Sequence, residues 1–485
     1  MALRTRLGGP AVAVVGVGLV AVAARLPGTF TQALSEDEVA SARILREPTL
    51  AAMLGRTART ESTPPLWYTL AWLAHHAGLP LVDARLLSVL AGGALAATIV
   101  AVGVRLLPLP AAGLAGVLVA FGIEFVRHGH ALRSYELLAF LTALFVLLLL
   151  RELERPRLRS EVAIGAVVAL GGLTHYFFAF AVVAALAWLW LDPAARSIRR
   201  RTSIAIAAGG VVAAAWAPVM LVQYHRNRFW WIGEFRLREL LTVPLRLFTT
   251  AYNGRPEGAV LSVLFVAAVA LGCVRLARGG APGRLVAALS FGPLLVAGVL
   301  WGAGFEIFAV RNLIEIGPAV ALAVAALVAA VPVRAAAATG IAVVALLTVS
   351  LLRQEGASPP PFAGIAHALV AEGWRPADPV AVLGNLFVFR APLEWYLPHA
   401  PVLDAGKPNR RVCRTVFVVA PRRRRLAAGR VTGRDAAGHY VVSRLALRVP
   451  LAYPRMFRRA AILVDPAHPP ACVRAIRTGR LAPIT

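Results

Sequence analysis

The chain has 485 residues, of which 59% are apolar and only 15% charged, a balance that excludes a soluble globular protein of this length. Its formal charge of +27 would suggest nucleic acid in a soluble chain. Here the arginines fall between apolar blocks and in the C-terminal third, where they set topology and meet anionic lipid, so nucleic acid is not an expected partner.

From the N-terminus, Arg4 and Arg6 precede an apolar run without a convincing cleavage site. That pattern reads as an uncleaved first span with its positive end in the cytoplasm. A bilayer core of about 30 Å needs about 20 apolar residues in a helix. Candidate spans cover 10–26, 64–78, 84–104, 108–124, 134–150, 161–174, 176–191, 203–222, 258–276, 284–302, 312–331 and 335–352. The expectation is an all-α polytopic membrane protein with about 11–13 transmembrane helices. Arg151, Arg155, Arg157 and Arg159 mark one cytoplasmic loop, and Arg196, Arg199, Arg200 and Arg201 a second. Residues 161–191 then form a hairpin, and 223–257 lie outside with 27–63. An odd number of crossings must separate 27–63 from Arg151, yet four candidates lie between them. One therefore does not cross fully, and 64–78, which opens on two prolines, is the candidate.

The outer loop 27–63 has helix-forming composition over Glu36 to Arg46, with Ser35 as a plausible N-cap. Loop 223–257 mixes Phe229, Trp230, Trp231, Phe235 and Phe248 with arginines, which suits a helix lying among head groups. Beyond 352 short β-like runs such as PVAVLGN and VFVVAP alternate with Pro, Gly and Arg, so 353–485 is expected to be a small α/β extramembrane domain. The membrane module is then 1–352. Cys273, Cys413 and Cys472 form no CxxC pair; a Cys413–Cys472 disulfide and two buried thiols both stay open.

Glu36, Asp37 and Glu38 follow the first span. Three acids in a row suit a solvated surface or a helix N-terminus, but Glu61-Ser-Thr-Pro-Pro-Leu-Trp-Tyr68 then leads into the next span. An Asp-Glu pair after the first span and a Pro-Pro-Leu-aromatic start to the second resemble the GT-C glycosyltransferases, above all the protein-mannosyltransferase-like group (family 39 and its bacterial relatives). Ala131-Leu-Arg-Ser-Tyr135, Leu173-Thr-His-Tyr176 and Val310-Arg-Asn-Leu-Ile314 with Pro318 are similar to three later motifs of that group. Thr63 stands where the group often has His or Lys, and Asn312 where it has an aromatic residue.

The resemblance implies a GT-C-like module that transfers a sugar from a polyprenyl-phosphate donor to an acceptor hydroxyl with inversion, at the outer face of a bacterial plasma membrane. The acceptor is a glycan, a lipid or a protein, membrane lipids surround the module, and no cofactor beyond the donor substrate is expected. Asp37 would be the general base and Glu38 its helper or an acceptor ligand. Glu61, Arg133, Tyr135, His175, Tyr176 and Arg311 would bind substrate. Arginine suits the lipid phosphate because its planar fork holds two phosphate oxygens. The bland readings are snorkelling or topology marking for Arg133 and Arg311, and helix–helix hydrogen bonding for His175. Glu306 and Glu315 flank Arg311 and are able to neutralise it. His128, His130, His175 and Glu124 fit no closed zinc spacing, so no metal is expected. His75-His76 and Arg422–Arg425 read as an interfacial cap and a solvated basic strip. A transporter or flippase would show repeats with matching broken spans, and a polysaccharide polymerase or ligase would place its main loop late. Neither pattern is present, though 223–257 leaves the second open.

Overall fold

In a computed structural model the chain is described over residues 8–226, 237–250, 256–305, 308–355, 361–375, 380–383, 386–397, 415–421, 430–437, 440–446 and 460–463. Residues 227–236 and 251–255 of the aromatic loop, with Phe229, Trp230, Trp231 and Phe235, and Glu306, Arg422–Arg425, Cys413 and Cys472 lie outside these residues. The chain divides into two compact units. The first holds residues 1–30 and 41–356, the second residues 31–40 and 357–485. The short segment 31–40, which the sequence assigns to the membrane module, thus groups with the C-terminal residues.

In the first unit, helix α1 (Gly9–Thr31) is followed by the later part of α2 (Glu36–Leu45), then α3 (Leu50–Thr60) and α4 (Leu66–His76). Thr49 caps α3 by accepting from Ala52 N at 3.2 Å. The helix α4 has 11 residues. At 1.5 Å per residue it spans about 16 Å, too little to cross a bilayer core. Its length fits a segment that does not cross fully, as expected for 64–78. Then come α5 (Leu86–Gly103), α6 (Leu109–Phe121) and α7 (Ile123–Gly129), the last two bent by 56° about Gly122. They are followed by α8 (Tyr135–Glu154), α9 (Leu158–Thr174) and α10 (Phe178–Leu191). Next are α11 (Arg199–Ala214), α12 (Ala217–Arg226), the short α13 (Val243–Arg246), α14 (Pro256–Arg278), α15 (Ala281–Gly302), α16 (Gly317–Val328) and α17 (Val333–Glu355). A 3₁₀ segment, Val310–Ile316, leads into α16.

Six described helices are long and apolar enough to cross a membrane, or eight if each bent pair is one span. Other apolar stretches of the sequence stay below that mark for identifiable reasons. The 20-residue α8 carries Glu136 near its start and Arg151, Glu152 and Glu154 at its end, and α10 has only 14 residues. Small residues set the close crossings. Where α9 meets α11, a Cβ on Gly209 would strike the Gly165 carbonyl and one on Gly165 would strike that of Ala205. The core of this unit joins Leu95, Leu138, Phe145, Phe178, Leu289 and Val320. Exposed apolar side chains such as Leu19, Val211, Leu264, Leu295 and Ile341 are what a lipid-facing surface needs.

The second unit has a five-stranded sheet in the order β3-β4-β2-β1-β5, with β1 Val380–Leu383, β2 Thr415–Pro421, β3 Arg430–Ala437, β4 Tyr440–Ala446 and β5 Ala460–Leu463. β1 and β2 are parallel, with α19 (Leu386–Tyr396) in their connection, and all other pairs are antiparallel. Helix α18 (Phe362–Ala371) supplies Phe362, Ile365 and Leu369 to a core with Val382, Phe389, Phe417 and Val442. Ala33 packs on this core, and Leu34 N donates to the Tyr396 hydroxyl at 2.9 Å.

Candidate active site

The acids after the first span open α2. Ser35 N and Ser35 Oγ both donate to Glu38 Oε2 at 2.9 Å, while Val39 N donates to Ser35 O. Glu38, the third helical residue, thus reaches back to Ser35 N, which is the acidic half of a capping box. Ser35 stands just before α2, at the position the sequence predicts for the N-cap, and its hydroxyl is donated to Glu38. Asp37, beside it in the first turn, is half-buried. Both acids belong to the second unit.

In the first unit the remaining predicted residues sort into a cluster and one outlier. Glu61 ends α3 in extended conformation, and its Oε2 accepts from Tyr68 Oη at 2.9 Å and from Arg133 Nη1 at 3.0 Å. Thr63 Oγ1 lies 3.3 Å from the same tyrosine hydroxyl. Arg133 Nη1 also reaches Ser41 Oγ at 3.3 Å. The loop holding Arg133 is fixed by Ser88 Oγ, which donates to Ala131 O at 2.8 Å and Arg133 O at 3.1 Å. Tyr135 then begins α8, 3% exposed.

The Tyr135 ring is the hub. The Arg133 and Arg311 guanidinium carbons lie 6.0 Å and 5.9 Å from its centroid, within cation–π range. His128 lies 4.5 Å away and His175 5.5 Å away, ring to ring. His175 stands in the turn after α9, where its Nδ1 accepts from Phe177 N at 3.3 Å. Burial, and then the Arg133 and Arg311 charges, push its imidazolium down to about 3, so the ring is neutral with its hydrogen on Nε2. Arg133 and Tyr135, two positions apart, are therefore brought together with the distant His175 and Arg311, with Glu61 attached through Arg133.

Tyr176 is the outlier. Its hydroxyl donates to Gln223 Oε1 at 2.6 Å, and Gln223 Nε2 donates to Thr57 O at 3.1 Å. It ties the hairpin turn to α12 and α3 instead of joining the cluster. Glu315 does not neutralise Arg311 either, because both its carboxyl oxygens are buried without a hydrogen-bond partner. His128 pairs with Glu124 at 3.1 Å, and among the described residues no three His, Cys, Asp or Glu side chains gather as a metal site.

The sequence reading passed over Tyr68 and Ser41, which hold Glu61 and Arg133, and His128, which it weighed only as a metal ligand. The Pro-Pro-Leu-Trp-Tyr motif already held Tyr68. Nothing local in the sequence marks Ser41. Chemically, the cluster offers two guanidinium groups, a phenol and a neutral imidazole donor, a lining suited to an oxyanion with several equatorial oxygens.

Residues 62–222 match the model of the dolichyl-phosphate-mannose-protein mannosyltransferase family. No curated protein matches the sequence. Among solved structures the chain is similar to ArnT from Cupriavidus metallidurans in the apo state, at 14% identity and a TM-score of 0.56, over 89% of this chain and 97% of that one. It is equally similar to the same protein bound to undecaprenyl phosphate, at 14% identity and a TM-score of 0.56, over 90% and 98%. The fold is that of the GT-C membrane glycosyltransferases, as the order of the sequence motifs predicts.

Proposed function

We propose that this chain is an inverting membrane glycosyltransferase, taking a sugar from a polyprenyl-phosphate donor to an acceptor hydroxyl at the outer face of the plasma membrane. The convergence of Arg133 and Arg311 on the buried Tyr135, with neutral His175 beside them, carries this reading. In the reaction the acceptor oxygen forms a bond to the anomeric carbon as the bond to the phosphate oxygen breaks. The electron pair leaves on the lipid phosphate and the acceptor proton passes to a base.

The guanidinium groups of the cluster face the charge that develops on the departing phosphate. A single donor of this kind is worth about 10²–10³ in turnover. Asp37 serves as the base, a role that rests on the family resemblance and on its place in the first turn of α2. Such proton transfer contributes about 10²–10⁴-fold.

The test is transfer from a panel of radiolabelled polyprenyl-phosphate sugars by membranes carrying wild type or Asp37→Asn. Wild type is expected to consume one donor, and the variant to lose about 10²-fold or more of that rate. Equal rates would remove Asp37 from the chemistry. Consumption of no donor, with acceptor-bearing membranes supplied, would reject the glycosyltransferase reading.

A further inference from the structure

Arg25 is fully buried within α1. Its Nη1 donates to Ala21 O and to Ala120 O, both at 2.9 Å. Its Nη2 donates to Val119 O at 3.3 Å and to Glu136 Oε1 at 3.2 Å, and the Glu136 side chain is likewise fully buried. Val119 and Ala120 lie in the last turn of α6, whose carbonyls lose their helical partners at the bend into α7. The guanidinium supplies those donors. Glu136, its ionic partner, follows Tyr135 directly in the first turn of α8.

The neighbours are cut to fit. A Cβ on Gly92 of α5 or on Gly129 at the end of α7 would run into the guanidinium. A charge inside an apolar span is costly unless it is paired and used. This pair joins α8, which carries Tyr135, to the end of α6, just before the helix that carries His128, and the rings of Tyr135 and His128 lie 4.5 Å apart.

We infer that the Arg25–Glu136 pair is a positioning device, fixing the start of α8 and the α6–α7 bend so that Tyr135 stands between Arg133 and Arg311. The inference rests on reading that cluster as the lipid-phosphate site. Arg25 and Glu136 act through Tyr135, and the cluster supplies the groups that meet the phosphate.

The test uses the purified full chain and undecaprenyl phosphate as probe. A buried ion pair replaced on both sides by apolar residues of similar size usually keeps the fold. Arg25→Met with Glu136→Leu is expected to fold, with a melting temperature lowered because the Val119 and Ala120 carbonyls lose their donor, and to bind the probe about tenfold more weakly, with no further loss when added to Tyr135→Ala. Should that double variant fail to fold, Glu136→Gln, which keeps the shape and removes the charge, is measured in the same cycle and decides the matter. Wild-type affinity in these variants, or a loss that adds in full to that of Tyr135→Ala, overturns the inference. Wild type that transfers sugar while the cycle is additive overturns the positioning role alone. Wild type that binds the probe with the expected coupling but transfers no donor sugar overturns only the activity. Wild type that neither binds nor transfers overturns both.

Discussion

Glu38 shows how one side chain can be claimed by local chemistry before any catalytic role is considered. Its Oε2 holds both the N–H and the hydroxyl of Ser35, so the capping box accounts for its buried position. Glu38→Gln retains an acceptor oxygen and is expected to keep both stability and transfer, whereas Glu38→Ala should cost about 0.5–2 kcal/mol in a melting experiment. A Gln variant that loses transfer as Asp37→Asn does would give Glu38 a chemical role beyond the cap. His175 carries a pH signature. Its imidazolium is held down to about 3 against an ordinary value of 6.5. The folded state therefore prefers the neutral ring, so the stabilisation is complete above pH 6.5 and is lost as pH falls from there toward 3. Melting temperatures of wild type should drop over that window, and His175→Asn should flatten the drop. An unchanged slope would refute the shift.

At the scale of elements, the parts meet through polar clamps at helix ends. Asp192, just after α10, accepts from Arg284 Nε at 2.6 Å and from Arg284 Nη2 at 2.9 Å, and also from Trp188 Nε1 and Ala194 N. The Arg284 hydrogen bonds hold the Asp192 carboxyl below its ordinary value. The stabilisation it gives is present above the ordinary carboxylate range and is lost as pH falls through the lowered value. Arg284 is 42% exposed, so solvent screens the pair and its worth is small. Asp192→Asn is expected to lower the melting temperature modestly at neutral pH, with the gap closing in strong acid; a gap that persists there would mean the loss is not ionic. Helix α4 illustrates the other lesson of this scale. Its shortness was legible from the two prolines and from charge parity, whereas the 56° bend between α6 and α7 was not, because 108–124 reads as one apolar run.

For the whole molecule, the arrangement of arginines makes a topological prediction. With Cys273, Cys413 and Cys472 replaced, single cysteines at Arg157 and Arg196 should resist a membrane-impermeant maleimide in intact cells and react after permeabilisation. A cysteine at Glu47 should react in intact cells. Labelling at Arg157 before permeabilisation would invert the assignment and with it the outer-face placement of the chemistry.

Composition and the order of motifs were enough to specify a polytopic membrane chain and a GT-C fold, and the shortness of α4 was legible too, because the bilayer imposes helix length and apolarity on each segment separately. The same holds for the hydrogen bonds from Ser35 to Glu38, a contact between residues three apart. Only the tertiary structure decided which ionisable groups meet. It placed Arg133, Tyr135, His175 and Arg311 together, turned Tyr176 toward Gln223, and paired Arg25 with a glutamate 111 positions away. Arg25 falls near the end of the candidate span 10–26, and nothing local in the sequence marks its partner. Contacts of that range arise from how helices pack around small residues such as Gly92 and Gly129, and packing is a property of several segments at once.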